Sequence, residues 1–232
     1  MLSRNPDGVQ GNNNSEAPAL SANGRFVAFA SYAGNLVSQD TNSQADIFVH
    51  DRQTGMTQRV SVGHDGAEAN GSSSFPNLSA DGRFVVFQSE ASNLVAGDTN
   101  KVVDLFVYDQ QTGQTERVNV ASNGTQAIRG NSTGAMFGAN GRLVAFTSEA
   151  TNLVPDDTNQ MGDIFVYDRD TKQTIRISIT NDGREANGES NFPTLAADGH
   201  LIAFWSLADN LTDDDGNQRG DILLRTLTFT GG

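Results

Sequence analysis

The sequence has no cysteine among its 232 residues, which excludes a disulfide framework and a thiolate metal site and leaves the redox compartment unread. Lysine occurs only at Lys101 and Lys172, and the formal charge is -13 with a pI near 4.4. Such a surface repels polyphosphate and anionic lipid, so nucleic acid is excluded as a favoured partner. It suits cations or basic partners, or simply keeps the chain dispersed. No run of about 18 apolar residues exists, so membrane insertion is not expected. The start, Met1 to Pro6, has no apolar signal core, which predicts a soluble chain, whether mature, trimmed or intracellular. Proline is limited to 5 residues against 24 glycines, a balance that fits a folded chain with many tight turns.

What the sequence does have is repetition. Asn23-Gly24, Asp81-Gly82, Asn140-Gly141 and Asp198-Gly199 recur at intervals of 58, 59 and 58 residues, and each precedes an apolar run such as Phe84-Val85-Val86-Phe87. These dipeptides predict two-residue hairpin turns. A second apolar run follows at the same intervals: Ile47-Phe48-Val49-His50, Leu105-Phe106-Val107-Tyr108, Ile164-Phe165-Val166-Tyr167 and Ile222-Leu223-Leu224. Both alternations of these runs are apolar, so the strands are buried on both faces, as in a sheet stacked between two others. A more polar strand, for example Gln58-Arg59-Val60-Ser61, then reads as the outer edge. The predicted fold is all-β: one β-propeller domain over residues 1–232, with four four-stranded antiparallel blades. Leu2-Ser3-Arg4-Asn5-Pro6-Asp7-Gly8 lines up with Val60-Ser61-Val62-Gly63-His64-Asp65-Gly66, the end of an outer strand, while the C-terminal strand, read as Asp221 to Thr230, stops after a third. The N-terminal strand is therefore expected to pair with the C-terminal one and close the ring in a monomer; the alternatives are a homodimer of two arcs or a fragment of a larger propeller.

The chemically pointed motif is Asp-x-Asn-x-x-x-Asp in the loop after the second strand of each repeat. Its copies are Asp40, Asn42, Asp46; Asp98, Asn100, Asp104; Asp157, Asn159, Asp163; and Asp215, Asn217, Asp221. Oxygen side chains so spaced can wrap a hard cation, calcium being the best match. Asn35, Asn93, Asn152 and Asn210 offer a further oxygen. Equally, Asp and Asn cap turns through their own backbone. The histidines, His50, His64 and His200, occupy unrelated repeat positions, and Glu90 and Glu149 have Tyr32 and Leu207 as equivalents. No catalytic residues are assigned. Trp205 and Tyr32, just past the second strand, are the aromatic candidates for sugar stacking.

The stretches Ser79 to Ser89 (S-A-D-G-R-F-V-V-F-Q-S), Asn93 to Asn100 (N-L-V-A-G-D-T-N) and Asp104 to Asp109 (D-L-F-V-Y-D) resemble the TolB-like, WD-related β-propeller repeat, in its long-loop bacterial form. The resemblance covers essentially the whole chain. It implies a propeller whose function ranges, across members, from protein docking to parts of enzymes, and it implies an extracellular or periplasmic location. The expectation is a non-enzymatic binding scaffold with a protein or polysaccharide partner; the alternative is a carbohydrate-binding or carbohydrate-active protein.

Overall fold

The computed structural model describes residues 1–213 and 215–227, and its contacts divide the chain into two compact units, Met1–Arg117 and Val118–Gly232. In the first unit, β1 (Ser15–Leu20), β2 (Phe26–Ser31), β3 (Asp46–Asp51) and β4 (Met56–Arg59) form one antiparallel sheet in that order. A second follows with β5 (Ser73–Leu78), β6 (Phe84–Ser89), β7 (Asp104–Asp109) and β8 (Gln114–Arg117). The second unit contains β9 (Ser132–Gly138), β10 (Leu143–Ser148), β11 (Asp163–Asp168) and β12 (Gln173–Arg176), then a three-stranded sheet of β13 (Ser190–Leu195), β14 (Leu201–Ser206) and β15 (Asp221–Thr226). Of the C-terminal strand expected to reach Thr230, residues 228–230 lie outside the described residues. Among the described residues no helix is long and apolar enough to cross a membrane.

Stacking of sheets within each unit explains why the second and third strands are apolar on both faces. One face of β2 and β3, with Ala28, Ala30, Ile47 and Val49, packs with Leu78, Val85, Phe87 and Phe106 of the next sheet. The second unit repeats this, Ala145, Ile164 and Val166 meeting Ile202, Phe204 and Leu223. On the other face of the first and third sheets, phenylalanines from strands two and three pair in register: Phe29 with Phe48 and Phe146 with Phe165, ring centroids 5.8 Å apart in both. Each ring buries a large apolar area and fixes strand register by cross-strand contact.

In the third hairpin turn Asn140 and Gly141 both have the expected positive φ, +58° and +83°, but the first two turns differ from the two-residue form. β1 and β2 are joined by Ser21–Arg25, closed by Ser21 N donating to Phe26 O at 3.0 Å, and only Gly24 of the dipeptide has a positive φ, +66°. Asn23 stays at negative φ because its side chain makes the turn: Oδ1 accepts from Arg25 N at 2.9 Å and from Ser21 Oγ at 2.8 Å. Asp81 repeats the arrangement with Arg83 N and Ser79 Oγ. The first strand of each sheet also carries a bulge, with Ala17, Phe75, Gly134 and Phe192 at positive φ where the pairing to strand two slips.

The chain entering β13 passes so close to the end of β14 that a Cβ on Gly188 would lie 2.7 Å from Ala208 N and from the Leu207 carbonyl carbon. Both are backbone atoms and cannot swing aside. Gly188→Ala is expected to destabilise the second unit by on the order of 2 kcal/mol through forced backbone shifts, measured as a lowered urea midpoint at unchanged slope.

Candidate functional site

Each Asp-x-Asn loop runs from the end of the second strand into the third, and the last Asp of the motif is the third strand's first residue. In the first copy Asp46 is fully buried. Ser61 Oγ donates to its Oδ1 at 2.5 Å, and Ser61 itself accepts from Ile47 N at 2.9 Å. Asn42 Nδ2 donates to Asp46 Oδ2 and to Ala69 O, both at 3.1 Å, while Asn42 Oδ1 accepts from Gln44 N at 2.8 Å. Asn42 therefore performs the turn-capping role.

A guanidinium stands among the carboxylates. Arg59 Nη1 lies 2.9 Å from Glu68, 3.4 Å from Asp40 and 3.5 Å from Asp46. Arg117 Nη1 lies 3.1 Å from Asp98 and 3.2 Å from Asp104, and Asn100 donates to both Asp104 oxygens. Arg176 Nη1 lies 3.1 Å from Glu185, 3.5 Å from Asp163 and 3.6 Å from Asp157, with Ser178 and Asn159 donating to Asp163. The three arginine side chains are at most 10% exposed. In these copies the arginine of the outer strand supplies the positive charge that the carboxylates need.

The fourth copy differs. Asp215 Oδ1 accepts from Asn217 N at 3.3 Å and Asn217 Oδ1 from Arg219 N at 2.7 Å, but among the described residues neither Asp215 nor Asp221 has an arginine partner. Asp221 is exposed. Asp215, Asn217 and Asp221 border a hollow of about 380 Å³ shared with Thr212, Leu223 and Arg225. Among the described residues no group of three or more His, Cys, Asp or Glu side chains is arranged to hold a metal ion.

The four conserved-spacing asparagines before each loop are committed elsewhere. Asn35 Nδ2 donates to Gln10 O and its Oδ1 accepts from Asn12 N, both at 2.9 Å. Asn93 does the same with Glu68 O and Asn70 N, Asn152 with Gln126 O and Ile128 N, and Asn210 with Glu185 O and Asn187 N. Each ties its loop to the segment that precedes the sheet, so its oxygen does not join the Asp pair. His50 Nδ1 sits 3.0 Å from Thr57 Oγ1. His200 N is bound by Asp198. The Glu90 and Glu149 backbones extend the pairing of their own sheets, to Ser72 O and Asn131 O. Tyr32 is exposed, and half-buried Trp205 lies against Phe192 with ring centroids 6.4 Å apart.

A second charged fastener escaped the sequence reading. Arg25 grips Asp51 with Nε and Nη2 at 3.0 and 2.8 Å, and Arg83–Asp109 and Arg142–Asp168 repeat the bidentate grip across strands two and three. Its signal was a constant spacing of 26 residues between an Arg after each turn glycine and an Asp ending each third strand. The Arg142 side chain holds the Asp168 carboxyl down at about 2. Burial and the neighbouring Asp163 push Asp157 the other way, to about 6. Burial likewise raises Asp40, Asp46, Asp98 and Asp163.

Two outcomes follow for the third loop. Arg176→Met leaves Asp157, Asp163 and Glu185 without their shared cation and is expected to cost about 3–5 kcal/mol, read from chemical denaturation. Because the folded state raises the Asp157 pKa above its ordinary 3.8, the fold holds that proton more tightly than the unfolded chain does. The stability contributed by this group is full below pH 4 and falls as the pH rises towards 6. Asp157→Asn should flatten the melting-temperature profile between pH 4 and 6 relative to the unmodified chain; identical slopes would contradict the assignment.

No protein-family model matches the chain, and no curated protein does. Among solved structures it is similar to TolB from Acinetobacter baumannii, with a TM-score of 0.53 and 18% identity over 95% of this chain and 44% of that one. It is also similar to the β-propeller domain of the Trilobed protease from Pyrococcus furiosus (TM-score 0.53, 12% identity, 94% of this chain and 58% of that one). A third is an oligogalacturonate lyase in complex with manganese (TM-score 0.50, 12% identity, 92% and 54%). The chain thus spans less than two thirds of the length of each. At these identities the likeness concerns the fold alone, and in fold the chain is a TolB-like β-propeller.

Proposed function

We propose that the chain is a non-enzymatic scaffold: a single propeller domain that presents its long loops to a protein or polysaccharide partner outside the cytoplasm, in an extracellular or periplasmic setting. Its fourth sheet is completed by an N-terminal segment, Leu2–Gly8, that pairs with β15 as an outer strand. One observation carries the reading: the repeated polar residues, Asn42, Asp46, Arg59 and Asn35 with their counterparts, fasten loops to sheets in every complete repeat. Rigid loops of nearly equal shape suit contact with an extended or repetitive surface. The same fold occurs in a lyase and in a protease among the structures compared, so fold does not select a chemistry.

Calcium belongs to this reading as an ion for the Asp-x-Asn loops, and the fourth loop is where the residues fit it. There Asp215, Asn217 and Asp221 offer oxygens with no guanidinium between them, whereas a cation in the first three loops would have to displace Arg59, Arg117 or Arg176. Calcium at one hundred times its dissociation constant should stabilise the fold by about 2.7 kcal/mol relative to chelator. Asp221→Asn should abolish that increment and Asp46→Asn should keep it, although Asp46→Asn lowers the baseline. Coincident melts in chelator and in excess calcium would remove the ion from the reading.

A further inference from the structure

The chain contains five Asn-Gly pairs, and their local hydrogen bonds sort them into two classes. Such a pair carries its own reagent. The glycine amide nitrogen can attack the asparagine Cγ, because no Cβ on the glycine hinders the approach. The reaction requires the asparagine amide to turn over the following peptide bond and its nitrogen to depart.

Two pairs are clamped within their own sheets. Asn70 Nδ2 donates to Ser92 Oγ at 2.9 Å, its Oδ1 accepts from Ser92 N at 2.8 Å, and its own N–H donates to Asn93 Oδ1 at 3.0 Å. Asn187 repeats this, with Nδ2 donating to Asp209 Oδ1 at 2.6 Å and Oδ1 accepting from Asp209 N at 3.1 Å. The glycines that follow are hemmed in as well. A Cβ on Gly71 would lie 2.8 Å from the Glu90 carbonyl carbon, and one on Gly188 would lie 2.7 Å from that of Leu207. Both neighbours are backbone that is itself paired, Glu90 N to Ser72 O and Leu207 N to Glu189 O.

The other three pairs form the tips of tight turns. Asn23 and Asn123 use only Oδ1, which accepts from Arg25 N at 2.9 Å and from Thr125 N at 3.0 Å, with Ser21 Oγ as a second donor to Asn23. Asn140 sits in the left-handed region at φ +58°. Among the described residues no hydrogen bond holds Nδ2 of Asn23, Asn123 or Asn140. A Cβ on Gly124 would meet nothing within 4 Å, and one on Gly24 only the tip of Arg52, at 3.6 Å. The Gly24 and Gly124 N–H groups donate to Ser21 O and Ala121 O at 2.8 Å, so these turns must open to react. One turn bond opens more readily than a side chain clamped at both ends and wedged against a strand.

We propose that Asn23, Asn123 and Asn140 are sites of spontaneous covalent modification, losing their amides in the folded chain while Asn70 and Asn187 keep theirs. The glycine nitrogen bonds to Cγ, its proton passes through solvent to Nδ2, and the Cγ–Nδ2 bond breaks to release ammonia and leave a succinimide. Water then opens the ring at either carbonyl, giving aspartate or isoaspartate. The turns already accept aspartate in sister repeats. Asp81 Oδ1 takes the bond from Arg83 N at 2.9 Å that Asn23 takes from Arg25 N, and Asp65 Oδ1 takes from Ala67 N at 3.0 Å what Asn123 takes from Thr125 N. Isoaspartate instead routes the backbone through the side-chain carbons and lengthens the turn. Each event adds a negative charge to a chain that already carries -13.

The test is site-resolved ageing. The folded chain is held in mildly alkaline buffer beside a sample unfolded in urea, and both are followed by peptide mapping that separates the amide, aspartyl and isoaspartyl forms. In the folded chain Asn23, Asn123 and Asn140 should convert at least about tenfold faster than Asn70 and Asn187. In urea the rates should converge, because the clamps are gone. Uniform conversion in the folded chain, no conversion there at all, or a contrast that persists in urea would each overturn the proposal. Asn23→Asp and Asn123→Asp should melt together with the unmodified chain; a lowered melting temperature would overturn the claim that these turns accept the aspartyl product.

Discussion

A fully buried carboxylate at the head of the third strand is the constraint around which each complete repeat is arranged. Asp46, Asp104 and Asp163 have no exposed surface, and a buried charge persists only where it is paired and hydrogen-bonded. Satisfying it takes a loop asparagine and an outer-strand arginine in all three copies, and in the first and third also a serine or its equivalent two residues beyond that arginine. These groups come from three parts of the repeat. Meeting the needs of one carboxylate therefore sets where the long loop lands, how the outer strand is registered, and how the next segment is approached through Glu68 or Glu185.

The apolar side of the architecture follows from strands two and three being sandwiched. Phenylalanine pairs fill one face, while β-branched residues and alanine fill the other, so neighbouring sheets meet large against small. The bidentate Arg25–Asp51 type of pair then closes the end of the hairpin opposite the long loop. It sits at the surface and contributes chiefly geometry, whereas the Arg59 type lies in the interior, where loss of one member leaves others uncompensated.

Much of this was legible in the sequence. The turn glycines and the two apolar runs located strands two and three within a residue or two, because a doubly buried strand has few alternatives in composition. The turns were foreseen in part: Asn140 and Gly141 both adopt the left-handed backbone, whereas Asn23 and Asp81 act through their side chains. The loop oxygens were found, but their counter-ion was not: Arg59, Arg117 and Arg176 look like ordinary outer-edge polar residues. They follow the last Asp of each motif by 13 residues, and only the pairing of strands three and four brings the two together. A cation motif read from one loop cannot reveal that a neighbouring strand provides the cation.

The fourth repeat is informative because it departs from the others in a coordinated way. His200 stands where the bidentate arginines sit, Thr226 where their aspartates sit, and Leu223 where the paired phenylalanines sit. Independent drift would scatter such changes, yet the residues that face the preceding sheet, Ile202, Phe204 and Leu223, remain buried and apolar. Relaxation is concentrated at the hairpin end and on the outward face, which carries Trp205, Ile222 and Leu224. A surface released from all constraint in an acidic chain would be expected to gain charge. This one instead carries Trp205, Ile222 and Leu224, with Trp205 standing where the other sheets have Ala30, Gln88 and Thr147.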